Sequence, residues 1–471
     1  MGQEGPALAL NSSPDDTIAA IATPPGQAGI GIVRISGPKA LAIVKEIFRS
    51  KYPRDSFETH RLYLGHLVDP VSGTAIDEVL LSFMKAPHTY TREDIVEINS
   101  HSGYLLLSRI LKLVMDQGAR LARPGEFTFR AFINGRIDLT QAEAVVDIVN
   151  SQSEKGLQLV AEQIKGTLRR RIELVKDAAV EILAHAEVAI DFPEEDHEIL
   201  SREEGMNRIK EKLLEPLRVL IADHKSRNIW VDGINTVIVG RVNVGKSSLL
   251  NRLLNETRAI VTPVPGTTRD IIESPLSIEG IPLRLVDTAG LRQGTDQVER
   301  IGIHLTRQKM QSADLILLVF DQSEHLQQED KKILDQCRSR NVIIVLNKID
   351  LPGGLLPKER ELLASEFPTV AVSALTGQGM DRLKQAIVNF VLKDGPDLGD
   401  SNVAPNLRHR KALEEALACF TRAAGGLKKS LPMEIVALEL RSGIDALGEI
   451  IGETTPEHVL ESIFSQFCMG K

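Results

Sequence analysis

TVIVGRVNVGKSSLLNRLL, residues 236–254, reads as a buried strand, a glycine-bearing loop and a helix. The loop GRVNVGKS, Gly240 to Ser247, follows the strand and precedes the helix, the setting that a phosphate-binding loop requires. Gly240 and Gly245 let backbone N–H groups curl around phosphates, and the helix N-terminus adds a favourable field. Lys246 is expected to reach the β and γ phosphates and Ser247 to ligate Mg²⁺, with Asn243, Val244, Gly245 and Ser248 completing the cradle.

Further pieces follow in order. DTAG covers Asp287, Thr288, Ala289 and Gly290, with Asp287 ending the strand LRLVD. There the carboxylate can hold Mg²⁺ through water, and Gly290 can offer its N–H to the γ-phosphate. NKID covers Asn347, Lys348, Ile349 and Asp350 after the strand VIIVLN. The two carboxylate oxygens of Asp350 match the adjacent N1–H and exocyclic amine of guanine, a pair that adenine lacks. Ser373, Ala374 and Leu375 then close the base pocket. Each tetrapeptide is weak alone; their order after the loop makes a guanine nucleotide the expected ligand.

PGTTRD, Pro265, Gly266, Thr267, Thr268, Arg269 and Asp270, is the candidate switch segment, with Thr262, Pro263 and Val264 just before it as further candidates at the nucleotide. Thr267 or Thr268 would complete the Mg²⁺ shell; a solvated loop is the plain alternative. Leu291 stands after DTAG, where a glutamine can orient the attacking water, and leucine cannot do this. Glu299 is the best substitute by residue type, since a carboxylate accepts a proton from water, although a solvated acid at a helix start is the commoner role. Asn243 offers a side-chain oxygen that can hold a monovalent cation where an arginine finger would otherwise place charge.

Working outward, near-continuous apolar strands alternate with helices from Asn235 to about Leu392, the pattern of a mostly parallel sheet covered on both faces. Before it, residues 15–135 alternate short strands and helices as an α+β domain: TIAAIAT and GIGIVRISG as strands, a helix entered through Pro38, a hairpin over GHLVDPVSGTAIDEVLLSFMKAP, a strand in DIVEINSHSG, and an amphipathic helix ending at Gly118. From Asp138 the apolar period becomes helical to Ala189; a turn at DFPEEDHE and a helix to about Lys225 follow. DGPDLGDSNVAPN reads as a linker, and residues 407–465 are helical again. The expected division is a tail 1–14, an α+β domain 15–135, helical segments 136–232 and 395–471, and an α/β domain 233–394 inserted between them.

A chain of 471 residues exceeds one ordinary core, so several domains are required. No apolar run approaches the roughly 20 residues that span a bilayer, and the first 14 residues lack the pattern of a targeting peptide. Cys337, Cys419 and Cys468 are widely spaced, without metal-ligand spacing, which suits a cytoplasmic setting; a buried or idle thiol is the expected state of Cys468, a role beside the C-terminal motif's site the alternative. A net charge of −8 disfavours a general nucleic-acid coat protein.

The chain resembles the MnmE (TrmE) family of tRNA-modification GTPases over nearly its whole length. ATPPGQAGIGIVRISG, RPGEFTFRAFINGRIDLTQAEA and the final FCMGK look like family signatures beyond the nucleotide motifs. The resemblance implies a multidomain fold: an α+β folate-binding-like N-terminal domain, an all-α helical domain, and an inserted α/β P-loop G domain. It implies a homodimer, formed through the N-terminal domain, whose G domains pair in a K⁺-dependent way. It further implies a partnership with an MnmG-type FAD protein in a heterotetramer. Together they would use GTP and a 5-formyl- or methylene-tetrahydrofolate to place an aminomethyl-type group on C5 of the wobble uridine of certain tRNAs. By position, the resemblance assigns Asn243, Thr262, Val264 and Thr267 to K⁺, Ser247 and Thr268 to Mg²⁺, and Glu299 to catalysis. It assigns Arg34, Glu97, Arg136 and Lys471 to folate, Arg136 keeping the cationic charge where some relatives carry lysine. A ribosome-assembly GTPase is the first alternative, disfavoured by the acidic balance and by the lack of a G-x-x-G RNA-binding domain or second P-loop. A folate-dependent one-carbon transferase with a regulatory G domain is the second, and a pure dimerisation switch the third.

Overall fold

The computed structural model describes residues 16–24, 26, 28–52, 56–191, 202–256, 273–287, 310–393 and 402–471. The N-terminal part is built on a seven-stranded sheet, order β3-β4-β5-β6-β2-β1-β7. Its strands are β1 (Ile18–Ile21), β2 (Gly31–Ser36), β3 (Phe48–Ser50), β4 (Arg61–Val68), β5 (Ala75–Met84), β6 (Ile95–Ser100) and β7 (Arg120–Leu121). The expected hairpin is β4–β5, paired antiparallel with an irregularity at Leu67/Val68. Two helices, α1 (Ala40–Ile47) and α2 (Tyr104–Asp116), cover one face. Ile43, Val44, Ile110 and Val114 from the helices meet Val33, Ile35, Leu81 and Ile98 from the strands. The first helix begins at Ala40, because Pro38 and Lys39 form the preceding turn, two residues later than an entry through Pro38.

A short helix, α3 (Glu126–Ile133), leads into α4 (Leu139–Asn150), α5 (Glu154–Ile164) and α6 (Thr167–Asp191). Asp138 opens α4 with a capping box: its carboxylate accepts the N–H of Gln141 while the Gln141 side chain accepts the N–H of Asp138. The following rod, α7 (Arg202–Arg208) and α8 (Glu215–Arg227), does not stop near Lys225. Two π-helical turns, Ile209–Leu214 and Asn228–Asp232, carry it on to Gly233, whose φ of 75° breaks it. The inserted domain begins at once with β8 (Ile234–Val239).

After the insertion, α13 (Leu407–Lys428), α14 (Met433–Ile451) and α15 (Glu457–Phe464) complete the helical part. Leu168, Ile172, Leu213 and Leu217 share one apolar core with Leu413, Phe420, Leu440 and Leu447, so helices from both sides of the insertion form a single platform. The segment read as a linker is partly built in: Val403 and Ala404 are fully buried. At the other end, α15 turns back toward the N-terminal domain, with Phe464 stacked on Phe467 and edge-on to Phe129 at 5.1 Å.

A buried polar cluster locks the two helical segments together. The carboxylate of Glu143 on α4 accepts both Nε and Nη2 of Arg408 at 2.9 and 2.8 Å, and Nε2 of His409 lies 2.6 Å from it. The other ring nitrogen of His409 accepts the N–H of Asn406, so the ring carries its proton on Nε2 and donates to Glu143. Burial works against the Glu143 charge, but His409 and then Arg408 outweigh it and hold this carboxyl below the usual range. Burial also lowers the His409 imidazole, aided by Arg408 and Arg227 and opposed by Glu143. Below its ordinary value of 6.5 the unfolded chain binds a proton at this histidine that the folded chain refuses, so stability falls as pH drops through that window. Below 4.5 the Glu143 carboxyl adds a second loss of the same sign. Urea unfolding should therefore show a steeper loss of stability from about pH 7.5 to 5.5 in the native chain than in His409→Gln; equal slopes would refute the assignment.

Candidate guanine-nucleotide site

The inserted sheet has six strands in the order β13-β12-β11-β8-β10-β9. The other strands of this sheet are β9 (Glu273–Ile278), β10 (Ile281–Asp287), β11 (Leu315–Asp321), β12 (Val342–Asn347) and β13 (Thr369–Ala371). All pairings are parallel except β9 with β10. Parallel strands bring their C-terminal ends to one edge, and that is where the motifs end.

The phosphate loop leaves β8 at Gly240 and enters α9 (Lys246–Glu256); the later described helices of this domain are α10 (Gln328–Cys337), α11 (Pro357–Glu366) and α12 (Met380–Lys393). Val244 is buried in the domain core and pins the loop from beneath. Asn243 stands exposed at the tip with φ 65°, a left-handed conformation that asparagine tolerates better than most residues. Gly245 has φ 97°, and a Cβ there would lie 2.2 Å from Nδ2 of Asn347, so glycine is required twice over. Lys246 donates to the carbonyls of Gly240 and Arg241 at 2.9 and 2.7 Å, lying along the loop it serves. Ser247 and Ser248 are exposed on the first turn of α9.

Asn347 ties the motifs together. It is 2% exposed; its Nδ2 donates to the carbonyl of Val244 at 2.9 Å, and its Oδ1 accepts the N–H of Ala374 at 3.0 Å. One buried amide thus joins the phosphate loop, NKID and the Ser373–Leu375 turn. Lys348, at φ 67°, donates to Asp321 at 2.5 Å. Asp321 also accepts the N–H and hydroxyl of Ser323. Burial would raise this carboxyl, but Lys348 and Ser323 hold it low, so it stays ionised. The role of Asp321 was not read from the sequence; the available signal was a lone carboxylate closing the fully buried strand LILLVFD. Ser373 is buried and its hydroxyl accepts the N–H of Thr376. Asp350 is exposed at the mouth with Leu375, and Ile349 is half-buried between them.

Asp287 is the last residue of β10, paired in register with Ile238 of β8, which places it beside the loop. Thr262, Pro263, Val264, Pro265, Gly266, Thr267, Thr268, Thr288, Ala289, Gly290, Leu291 and Glu299 lie outside the described residues. Among the described residues no cluster of three His, Cys, Asp or Glu side chains is arranged for a metal. The Ser247 hydroxyl, exposed on the first turn of α9, is a hard oxygen of the kind Mg²⁺ takes beside phosphates.

In the N-terminal domain, Arg34 and Glu97 face each other across β2 and β6, with Nε donating to the carboxylate at 2.8 Å. The Glu97 carboxylate, assigned to folate by resemblance, therefore receives a guanidinium. The C-terminal tail joins them: Arg34 Nη1 donates to the carbonyl of Gly470 at 3.3 Å. Gly470 lies so close on β1 that a Cβ would sit 2.4 Å from the Ile21 carbonyl, which brings Lys471 to this corner. Arg136 is apart from the pair, stacked 4.7 Å over Tyr90 on the wall of a cavity of about 400 Å³ with Met84, Pro87, His88 and Arg92. Both places border the small cluster of Ile18, Ala20, Ala122 and Phe127, Arg34 through Phe127 and Arg136 through Tyr90. Cys468 is exposed, against the expectation of a buried thiol, because Phe467 takes the inward position beside it.

A P-loop domain of guanine-nucleotide type, set into a helical platform behind an α+β domain, defines a multidomain guanine-nucleotide-binding protein. Sequence profiles described as "GTP-binding protein TrmE N-terminus" and "MnmE helical domain" match residues 17–136 and 139–468. A tRNA modification GTPase MnmE of Geotalea uraniireducens is 47% identical over 459 residues, 97% of this chain and 99% of the relative. That of Moorella thermoacetica is 46% identical over 463 residues, 97% of this chain and 100% of the relative. The G domain of the Thermotoga maritima FeoB iron transporter matches 33% of this chain and 98% of its own, at 24% identity and a TM-score of 0.24. Aquifex aeolicus Era matches 40% of this chain and 66% of its own, at 27% identity and a TM-score of 0.27. The chain belongs to the MnmE family of tRNA modification GTPases.

Gly245→Ala combines backbone strain of about 1–3 kcal/mol with displacement of Asn347, and should weaken GDP and GTP binding roughly 100-fold without loss of fold. Titration with a fluorescent GDP analogue, alongside circular dichroism, checks this; affinity within threefold of the native chain would contradict it.

Proposed function

We propose that this protein is a GTP hydrolase whose turnover drives modification of the wobble uridine of certain tRNAs. The observation that carries the proposal is identity of 47% across 97% of the chain to a tRNA modification GTPase, together with motifs assembled around Asn347. In the reaction, Asp350 accepts the N1–H and amine of guanine, while the 243–248 loop and the α9 N-terminus take the phosphates. Lys246 exchanges its two loop carbonyls for phosphate oxygens. Water attacks the γ-phosphorus, the bond to the β–γ bridging oxygen breaks, and GDP leaves. Glu299 accepts the water's proton, since Leu291 cannot orient it.

Mg²⁺, held by Ser247 and Thr268, and K⁺, held by Asn243, Thr262, Val264 and Thr267, supply charge neutralisation on the phosphates when bound. Asn243 suits this role by standing exposed at the loop tip. We place a tetrahydrofolate, 5-formyl or methylene, near Arg34, Glu97, Arg136 and Lys471. Supporting this is the meeting of Arg34, Glu97 and the C-terminal tail at one corner, with Arg136 beside an adjoining cavity. A homodimer acting with an MnmG-type flavoprotein on C5 of uridine 34 completes the proposal, in the cytoplasm.

Three outcomes follow. Hydrolysis should be accelerated by K⁺ and not by Na⁺, and Asn243→Ala should lose that response while still binding GDP; equal rates in both salts remove the potassium role. Glu299→Ala should bind GTP normally but hydrolyse it about 10²–10⁴-fold more slowly; unchanged turnover removes Glu299 from catalysis. Nucleoside mass spectrometry of tRNA from a deletion strain should show the loss of a C5-modified wobble uridine, and a normal profile would overturn the tRNA role.

A further inference from the structure

Trp230 is the single tryptophan of the chain. It sits in the π-helical turn Asn228–Asp232, where the helical platform hands the chain to the inserted domain. Its backbone belongs to the platform. The Trp230 carbonyl accepts the hydroxyl of Ser153, the N-cap of α5, at 2.7 Å, and a Cβ on Gly156 would lie 2.3 Å from it. Its ring belongs to both sides, packing against the G-domain core and against the smaller cluster of Ala144, Leu159, Val160, Val231 and Ala404. The ring edge, Cζ3, lies at 4.0 Å from the Cβ position of Gly280 in the turn joining β9 to β10. The neighbouring Pro282 carbonyl closes on Gly233, 2.9 Å from its Cβ position.

That turn is one end of a lever. Paired from Ile281↔Ile278 to Val286↔Glu273, β9 and β10 form a stiff hairpin of about 20 Å. At its other end β9 begins at Glu273, soon after Thr268, and β10 ends at Asp287, the first residue of DTAG. The strand next to β10 is β8, which feeds the phosphate loop. A shift at the nucleotide end of a paired hairpin is carried to its turn, and the turn rests on Trp230. The indole N–H is buried and finds no acceptor among the described residues.

We propose that Trp230 is a positioning residue that couples the nucleotide state of the G domain to the helical platform through the β9–β10 hairpin. The proposal rests on reading 262–268 and 287–290 as nucleotide-sensing segments. The same contact lets the platform, through Trp230, steady the hairpin whose far ends lead into those segments.

The unmodified full-length protein reports on this joint by its own fluorescence. Tryptophan emission should differ in intensity or maximum between the GDP complex and the complex with a non-hydrolysable GTP analogue. Identical spectra, in a sample that still hydrolyses GTP, overturn the coupling and leave the GTPase reading intact; a sample that fails to hydrolyse GTP counts against that reading instead. A second measurement separates positioning from folding. Trp230→Ala should lower kcat roughly 3- to 30-fold with little change in KM or GDP affinity, and Trp230→Phe should restore most of it. A fall in kcat that only tracks the folded fraction, measured by thermal unfolding of the same variants, overturns the positioning role.

Discussion

The packing of Leu413 and Phe420 against Leu168, Ile172, Leu213 and Leu217 is the contact on which the rest depends. These residues come from opposite sides of the insertion. Closing so long a loop costs only slightly more than closing a short one, because the entropy grows with the logarithm of length. Burying fully apolar side chains of this size, where each truncation typically costs about 2–5 kcal/mol, readily exceeds that increment. Once this core forms, the entry and exit of the inserted domain must lie together. They do: Arg227 on the entry rod donates to the carbonyl of Ala404 on the exit strap at 3.3 Å, and His224 meets the carbonyl of Pro405 at 2.7 Å.

Polar chemistry then fixes the joint. Arg227 pairs with Asp147, and Glu143 gathers Arg408 and His409, so charged groups taken out of water are matched across the two segments. The last helix continues the logic. Phe464 and Phe467 seat on Phe129 and Phe132, and the tail reaches Arg34. Platform, inserted domain and N-terminal sheet are thereby joined through contacts rather than through linkers alone.

Much of this was legible in the residues because their physics is local. Apolar runs such as VIIVLN declare a buried parallel strand, and the backbone freedom needed at Gly240 and Gly245 follows from the loop pattern itself, whereas the positive φ at Asn243 does not. What escaped was set by tertiary context. β3 and β7 span three and two residues, too short to show a period. The π-helical turns that carry the rod to Asp232 have no composition of their own. Val403 and Ala404 look like linker residues until the platform closes over them. Asp321 gains meaning only when Lys348 arrives from the next strand, and Arg34 with Glu97 only when β2 meets β6. In the site, the residue types were readable while their ties to one another, above all those made by Asn347, were not.

The claim that one core unites the two helical segments independently of what lies between them is tested most directly by excision. Residues 234–402 would be replaced by a short glycine-rich linker, which the closeness of Val231 and Ala404 in one cluster permits. Unfolding would be followed by circular dichroism in urea. The account predicts a single cooperative transition with the helical signal per platform residue close to that of the whole protein. A broad, non-cooperative transition, or loss of the helical signal before denaturant is added, would contradict it.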